Sequence, residues 1–419
     1  MKNILKYIKI FAILIISFFA FSVLSCLIPH ESVKKNIEKS LPELLEEGDY
    51  PKAMFNGSRY QQDNFTDALI LNIAVSNDYS KPIWSALVNP LSFQNPESNT
   101  MVNYLDYRIN HIDLTTNTLY GRYWHGSSSF YRILLLIMDY QLLTWILYIV
   151  STLLLLIFAV KVVNKAGWIK SLPIFLALLF ANFFVTQFSL QFFPVMAISL
   201  IGGIWMCENS TKSQNKVFIY LFITGMVTAY FDLLTAPLLT LGLPLIVYMI
   251  LQGEEKKSVY EFYKSIFLLC IFWFIGYAAA WASKWILVCI FFADVDALNL
   301  VNAINYRIST YGYTRWDAIA RNFSLIPLVW LNLVLSFLLL LTFLSFNKKG
   351  IMQAIAFLLV GLLPYIWYFI LSSHSHPHWW FTYRAQVISM SCVMLFFVSL
   401  IDWERMKSKL KIGVHRLKK

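Results

Sequence analysis

The chain is short of charge. Aspartate, glutamate, lysine and arginine make up only 14% of its 419 residues, where a soluble domain carries about a quarter. That shortage argues against a set of ordinary soluble domains, although the length would hold two or three. Cysteine is scarce too. All five (Cys26, Cys207, Cys270, Cys289 and Cys392) fall within or at the ends of apolar segments. They offer no disulfide framework and no metal-binding spacing. Acidic residues number 23 against 34 lysines and arginines, a net charge of +11. The basic residues stand mostly between apolar runs and in the C-terminal tail. This is no nucleic-acid footprint; it fits the positive-inside bias of membrane proteins. No internal repeat of the kind that marks many transporters is visible.

Apolar residues are abundant: 58% of the chain is hydrophobic and 17% aromatic, with a mean hydropathy of +0.60. The runs predict an all-α polytopic membrane protein. Residues 1–29 read as a first transmembrane helix, led by Lys2, Lys6 and Lys9 and longer than a signal-peptide core. Residues 30–132 read as an extracytoplasmic loop with surface helices, 133–402 as a multi-span domain, and 403–419 as a basic cytoplasmic tail. Further spans are predicted at about 140–162, 170–187, 191–207, 216–231, 235–252, 263–292, 324–346, 350–371 and 384–402. With the first they make about ten transmembrane helices. One set of connections carries Lys161, Lys165 and Lys170; Lys212 and Lys216; Lys256, Lys257 and Lys264; and Lys348 and Lys349. That set, with the tail from Arg405, predicts both termini in the cytoplasm and the long loop outside.

Within the loop, Val33, Ile37, Leu41, Leu44 and Leu45 recur at helical spacing. They predict an amphipathic helix on the membrane surface, broken or kinked at Pro42. The stretch Gln61–Ala74, QQDNFTDALILNIA, follows. Asp63 and Asp67 stand four apart, so a helix turns both carboxylates the same way. The plainer reading is an acidic first turn complementing a helix dipole. The Asn-, Ser- and Pro-rich run from Asn77 to Thr100 reads as loop. YGRYWHG, Tyr120–Gly126, reads as an interfacial belt or a ligand-facing edge.

The chemically interesting polar groups all fall on the outer side in this topology. Asp63, Asp67, Arg122, His125 and Asp232 are among them. Lys284 lies inside an apolar run, where a charge is costly and usually faces a cavity or a partner. The competing reading is snorkelling to the interface. HSHPHWWFTYR brings His374, His376, His378 and Arg384. Three alternate histidines invite zinc, but Pro377 stiffens them and no acidic ligand is near in sequence, so an aromatic belt is the better reading. The Arg384 guanidinium suits a phosphate.

A first span, a long outer loop with acidic residues and surface helices, and then many spans together resemble the GT-C superfamily of membrane glycosyltransferases. The phrases DNFTDALILNIA, YGRYWHG, YFDLLTAP, WASKW and HWWFTYR are similar to those of multispanning proteins from bacterial surface-polysaccharide loci. The chain departs from the family in one respect: its acidic pair is split as Asp63 and Asp67 and stands late after the first span. The resemblance implies a bacterial plasma-membrane enzyme. It would move a sugar from a polyprenyl-phosphate donor to a glycan or lipid-linked acceptor. Asp67 would then be the general base, with Asp63 positioning and Asp232 as rival. Lys284, Arg384 and Arg122 would stabilise the leaving phosphate, with His125 and His378 among the substrate-binding groups. No residue spacing demands a metal; a divalent cation between carboxylate and phosphate stays open. A transporter or flippase of lipid-linked sugars is the alternative, and an acyltransferase would want a histidine deep in a span.

Overall fold

The computed structural model describes residues 2–52, 57–111, 116, 118–186, 188–253, 258–292, 305, 309–310 and 312–408. Lys256 and Lys257, much of the Asp294–Asn322 connection, and the tail beyond Ser408 lie outside the described residues. The chain is largely helical. α1 (Lys2–Cys26) leads into a polar cap of α2 (His30–Glu47), α3 (Asn64–Ser76), α4 (Pro82–Val88), α5 (Met101–Asn110) and α6 (Gly126–Leu134). One short antiparallel ladder, β1 (Pro90–Leu91) with β2 (Thr118–Leu119), stitches the cap. The bundle follows, with α7 (Tyr140–Ala166), α8 (Trp168–Phe180), α9 (Phe183–Thr186), α10 (Phe192–Asn209), α11 (Gln214–Phe231), α12 (Leu239–Gln252) and α13 (Val259–Phe291). It closes with α14 (Arg315–Phe323), α15 (Leu328–Leu344), α16 (Ile351–Gly361), α17 (Leu363–Ile370), α18 (Ser372–Ser375), α19 (Trp379–Thr382) and α20 (Val387–Leu400).

By length and composition this is a multi-pass membrane protein. Among the described residues six helical runs are long and apolar enough to cross a bilayer, or seven if the α14–α15 pair, bent by 79°, counts as one. The expected ten is therefore not reached. α8 has 13 residues and α12 has 14. At 1.5 Å per residue each spans about 20 Å, short of a hydrocarbon core of about 30 Å. α11 starts on the polar turn Gln214–Lys216. α8 ends at Phe180, just before Asn182 takes a left-handed conformation (φ 54°).

Close backbone approach joins the bundle helices, beside buried polar pairs such as Thr228 with Thr240 and Trp273 with Thr240. Gly225 of α11 and Gly276 of α13 face each other's helix. A Cβ on Gly225 would stand 2.1 Å from the Trp273 carbonyl oxygen, and one on Gly276 would stand 2.1 Å from that of Phe222. Small residues at such crossings let apolar helices touch along their backbones.

The cap has its own core. The apolar stripe of α2 faces protein: Val33, Ile37, Leu41 and Leu44 pack against α3, α5 and α7. Pro42 does not break the helix, which runs unbroken from His30 to Glu47. α3 is buried on nearly every side from Asp67 to Ser76, so it is the central rod of the cap. The Asn77–Thr100 run is not all loop; it forms α4 and β1, and Ser85–Ser92 is buried.

Gly276→Val adds atoms where backbone already touches backbone. It should destabilise the bundle by about 1–3 kcal/mol, read as a lower unfolding temperature in detergent. An unchanged midpoint would mean that the two helices are free to separate.

Candidate functional site

The stretch Gln61–Ala74 builds the site, and its two carboxylates part company. Asp63 is the N-cap of α3: Oδ1 accepts the Thr66 N–H at 3.0 Å. This is the local reason that the helix starts there. Its Oδ2 is buried without a hydrogen-bond partner. Asp63 lines a cavity of about 120 Å³ together with Gln191, Tyr120, Tyr123, His374 and His378. Burial pushes the Asp63 carboxyl up to about 7, against the Thr66 bonds and the more distant Arg384 charge, with Asp67 adding to the rise.

Asp67 sits one turn further on, and both of its oxygens are occupied. It accepts from Tyr140 Oη at 3.0 Å, Ser189 Oγ at 3.0 Å, Leu190 N at 3.0 Å and Gln191 N at 3.2 Å. Four donors from α7 and from the turn before α10 hold one carboxylate. Burial raises it to about 6, opposed by those same bonds. A carboxylate so filled has no lone pair directed at a substrate. The expectation that Asp67 is the base is therefore corrected: it is a clamp.

Asp232 is used locally as well. It ends α11 and accepts the backbone N–H groups of Leu234 at 2.9 Å and Thr235 at 3.0 Å. These bonds hold the turn in which Leu234 adopts φ 67°. That turn matters to the site, because His374 donates its Nε2–H to the Leu234 carbonyl at 2.8 Å. Asp232 thus supports the cavity wall at second hand and does not line it.

The cations divide in the same way. Lys284 does not snorkel, and it does not line the Asp63 cavity. It is fully buried, its Nζ donates to the Ala86 carbonyl of α4 at 2.7 Å, and it stands 5.3 Å from the centre of the Trp124 ring. The donor-phosphate role expected of it is corrected for that reason. YGRYWHG is neither a belt nor chiefly a ligand edge but a clasp on α13. Trp124 donates to the Ala280 carbonyl at 2.7 Å, and Trp281 and Trp285 both donate to the Arg122 carbonyl, at 3.0 and 2.8 Å. The Arg122 guanidinium lies over Tyr120, 4.7 Å from the ring centre, and does not line the Asp63 cavity. His125 caps α6 in a left-handed conformation (φ 55°) and donates Nε2–H to the Tyr120 carbonyl at 3.1 Å. Burial, with Lys284 and Arg122 nearby, drives it down to about 3, so it stays neutral. It too lies off the cavity.

Of the expected substrate groups, His378 is the one that lines the cavity beside Asp63. Arg384 lies close behind. It is buried, its Nη1 donates to the Trp380 carbonyl at 3.3 Å, and its guanidinium packs over Phe192 at 4.7 Å. Its Nε has no partner. Sequence reasoning passed over Arg59, on the turn Ser58–Tyr60. Its Nη2 donates to the Phe180 carbonyl at 2.9 Å, while its own carbonyl receives Arg384 Nη2 at 3.4 Å. Its Nε is also unpartnered. The readable signal was a lone arginine just before the acidic stretch. His376 points elsewhere and stacks on Tyr313, with ring centres 3.9 Å apart. Among the described residues no three His, Cys, Asp or Glu side chains converge as a metal site.

Phe180 leads to a second space. α8 and α15 both pack on α20 and leave an apolar groove of about 670 Å³ between them, walled by Leu172, Leu176, Phe180, Trp330, Phe337 and Met394. Arg59 binds the carbonyl of the residue at one end of that groove.

Removing the Asp67 carboxylate strands four buried donors. Asp67→Ala should cost at least about 3 kcal/mol, since each unsatisfied group costs about 1–3, and unfolding by heat would show it. Lys284→Met should likewise lower the midpoint, by orphaning the Ala86 carbonyl. Full thermal stability in either variant would refute its structural role.

The chain was compared with protein-family models, with curated proteins and with solved structures, and none of the three comparisons gave a match.

Proposed function

We propose that the protein is a membrane glycosyltransferase of GT-C type, working outside the cytoplasm on a polyprenyl-phosphate sugar. In this reading both termini are cytoplasmic and the shorter helices α8, α11 and α12 complete a ten-span arrangement. One observation carries it. A buried carboxylate with an unpartnered oxygen lines a cavity, the Arg384 charge acts on that carboxylate, and Arg384 bonds the carbonyl of Arg59, whose guanidinium touches the end of a long apolar groove. A general base, cations for a phosphate and a channel for an isoprenoid chain are the parts that such a transfer needs.

The isoprenoid chain lies in the groove between α8 and α15, with its phosphate at Arg59 and Arg384. The acceptor hydroxyl attacks the anomeric carbon; the new C–O bond forms as the bond to the phosphate oxygen breaks. Asp63 takes the hydroxyl proton on Oδ2, and the lipid phosphate leaves with the electron pair, steadied by the guanidiniums. Tyr120, Tyr123, His374 and His378 position the sugar. Asp63 replaces Asp67 as base because only Asp63 keeps an oxygen free of protein donors. A carboxyl held near 7 is matched to proton abstraction at neutral pH.

The test is turnover of polyprenyl-phosphate hexoses by protein in nanodiscs, followed as released polyprenyl phosphate. Asp63→Asn should fold normally and lose about 10²–10⁴-fold in turnover. Asp63 works only when ionised, so wild-type turnover should rise with pH through a midpoint near 7. That limb should vanish in the residual activity of Asp63→Asn. Normal turnover in Asp63→Asn would sink the assignment of the base. No turnover of any such donor by the wild type would sink the function.

A further inference from the structure

On the other side of the same backbone run lies a larger groove of about 350 Å³. Gln62 and Asn64 line it, while Asp63 between them lines the small cavity. Its walls are α2, the start of α3, the first turns of α7, and α9. One wall is aromatic. Trp145 is half exposed and meets Phe188 edge-on, with ring centres 5.1 Å apart; Phe188 in turn stacks on Tyr148 at 4.5 Å. The facing wall is polar. Glu43 and Glu47 stand one turn apart on α2, and the Asn64 amide donates to Glu47 Oε2 at 2.8 Å, fixing that carboxylate. Gln141 and Thr144 add further polar groups. The cation in the groove, Lys52, donates to Gln61 Oε1 at 3.1 Å.

We infer that this groove binds a saccharide that is neutral or carries amino groups, and that the saccharide is the acceptor. The acceptor role rests on the glycosyl-transfer reading; the binding does not. A flat aromatic face beside carboxylate and amide acceptors suits a sugar ring, which is apolar on one face and rimmed by O–H donors. Two carboxylates against one lysine make the groove acidic, which rejects uronic acids and phosphates and admits protonated amines. The position fits the role, since Gln62 and Asn64, which line the groove, are the direct chain neighbours of the proposed base. An acceptor seated against Asn64 would reach over Gln62–Asn64 to present a hydroxyl to Asp63.

The experiment is saturation-transfer NMR on the whole protein in nanodiscs, with maltotriose, chitosan triose and trigalacturonate as probes. Transfer to maltotriose or chitosan triose is expected, with none to trigalacturonate. Trp145→Ala and Glu47→Gln should each cut that transfer at least fivefold while keeping the wild-type unfolding midpoint. Glu47→Gln is nearly isosteric and guards against a folding artefact in Trp145→Ala. Three results would each overturn the inference: no transfer to either favoured probe, preference for trigalacturonate, or unchanged signal in both folded variants. Saccharide binding without any glycosyl transfer would sink the proposed function and leave the groove assignment standing. Transfer to an acceptor whose apparent affinity ignores Glu47→Gln would do the reverse.

Discussion

The Asp67 carboxylate is the joint on which the molecule depends. It lies on α3, the rod of the cap, and takes its four hydrogen bonds from α7 and from the turn before α10, which belong to the bundle. Hydrogen bonds to a buried ionised group are stronger than neutral ones, and each donor left unpaired there would be costly. The cap therefore cannot slide or tilt on the bundle without breaking several bonds together. The proposed base and part of its cavity wall adjoin this joint. Asp63 is one turn before it on α3, and Gln191, which lines the cavity, is itself one of the donors.

Other cap-to-bundle fastenings repeat the device with opposite charge. Lys284 reaches from α13 to a carbonyl of α4. Arg132 of α6 reaches back to the carbonyls of Ser25 and Ile28 at the end of α1. The indoles of Trp124, Trp281 and Trp285 tie YGRYWHG to α13. Except for the Ala280 carbonyl, which lies within α13, the buried donor is spent on a main-chain oxygen at a helix end or in a loop, where helix geometry leaves it open. A charge paired with a carbonyl in a low-dielectric interior binds tightly, yet it does no chemistry. The same economy explains why so many polar groups of the cap are buried without forming ion pairs.

What was legible in the sequence follows from this. The helical class, the membrane character and a helix with an acidic first turn around Asp63 and Asp67 were readable, because apolar runs and first-turn charge are local signals. The amphipathic stripe of α2 was readable as a stripe, but its partner was not. Lipid and a neighbouring helix satisfy the same pattern, and only tertiary packing decides between them. Ten apolar runs were visible, yet length could not reveal that α8 ends at Phe180. The candidate residues stand out in the sequence as polar or charged groups beside apolar runs. Their roles were beyond reach, since a buried lysine facing a carbonyl and one facing a phosphate have the same sequence context. Arg59 was missed because it stands in ordinary polar loop; its meaning comes from Phe180 and Arg384, far away along the chain.

The contrast between Asp63 and Asp67 makes the last step. They sit four residues apart, equally buried, and both are lifted above the ordinary carboxylate range by that burial. Desolvation alone would therefore nominate either as the base. What separates them is the count of donors: Asp67 has four and Asp63 keeps one oxygen open. A carboxylate that has exchanged water for protein donors gains a fixed position, and those donors oppose the rise that burial alone would give it. One that has lost water without replacement remains basic enough to take a proton at neutral pH. The two states are complementary, because the strained, under-satisfied carboxylate can be held against its cavity only if the neighbour one turn away anchors the helix. The split acidic pair is thus a division of labour between holding the cap and, in the proposed reaction, receiving the proton.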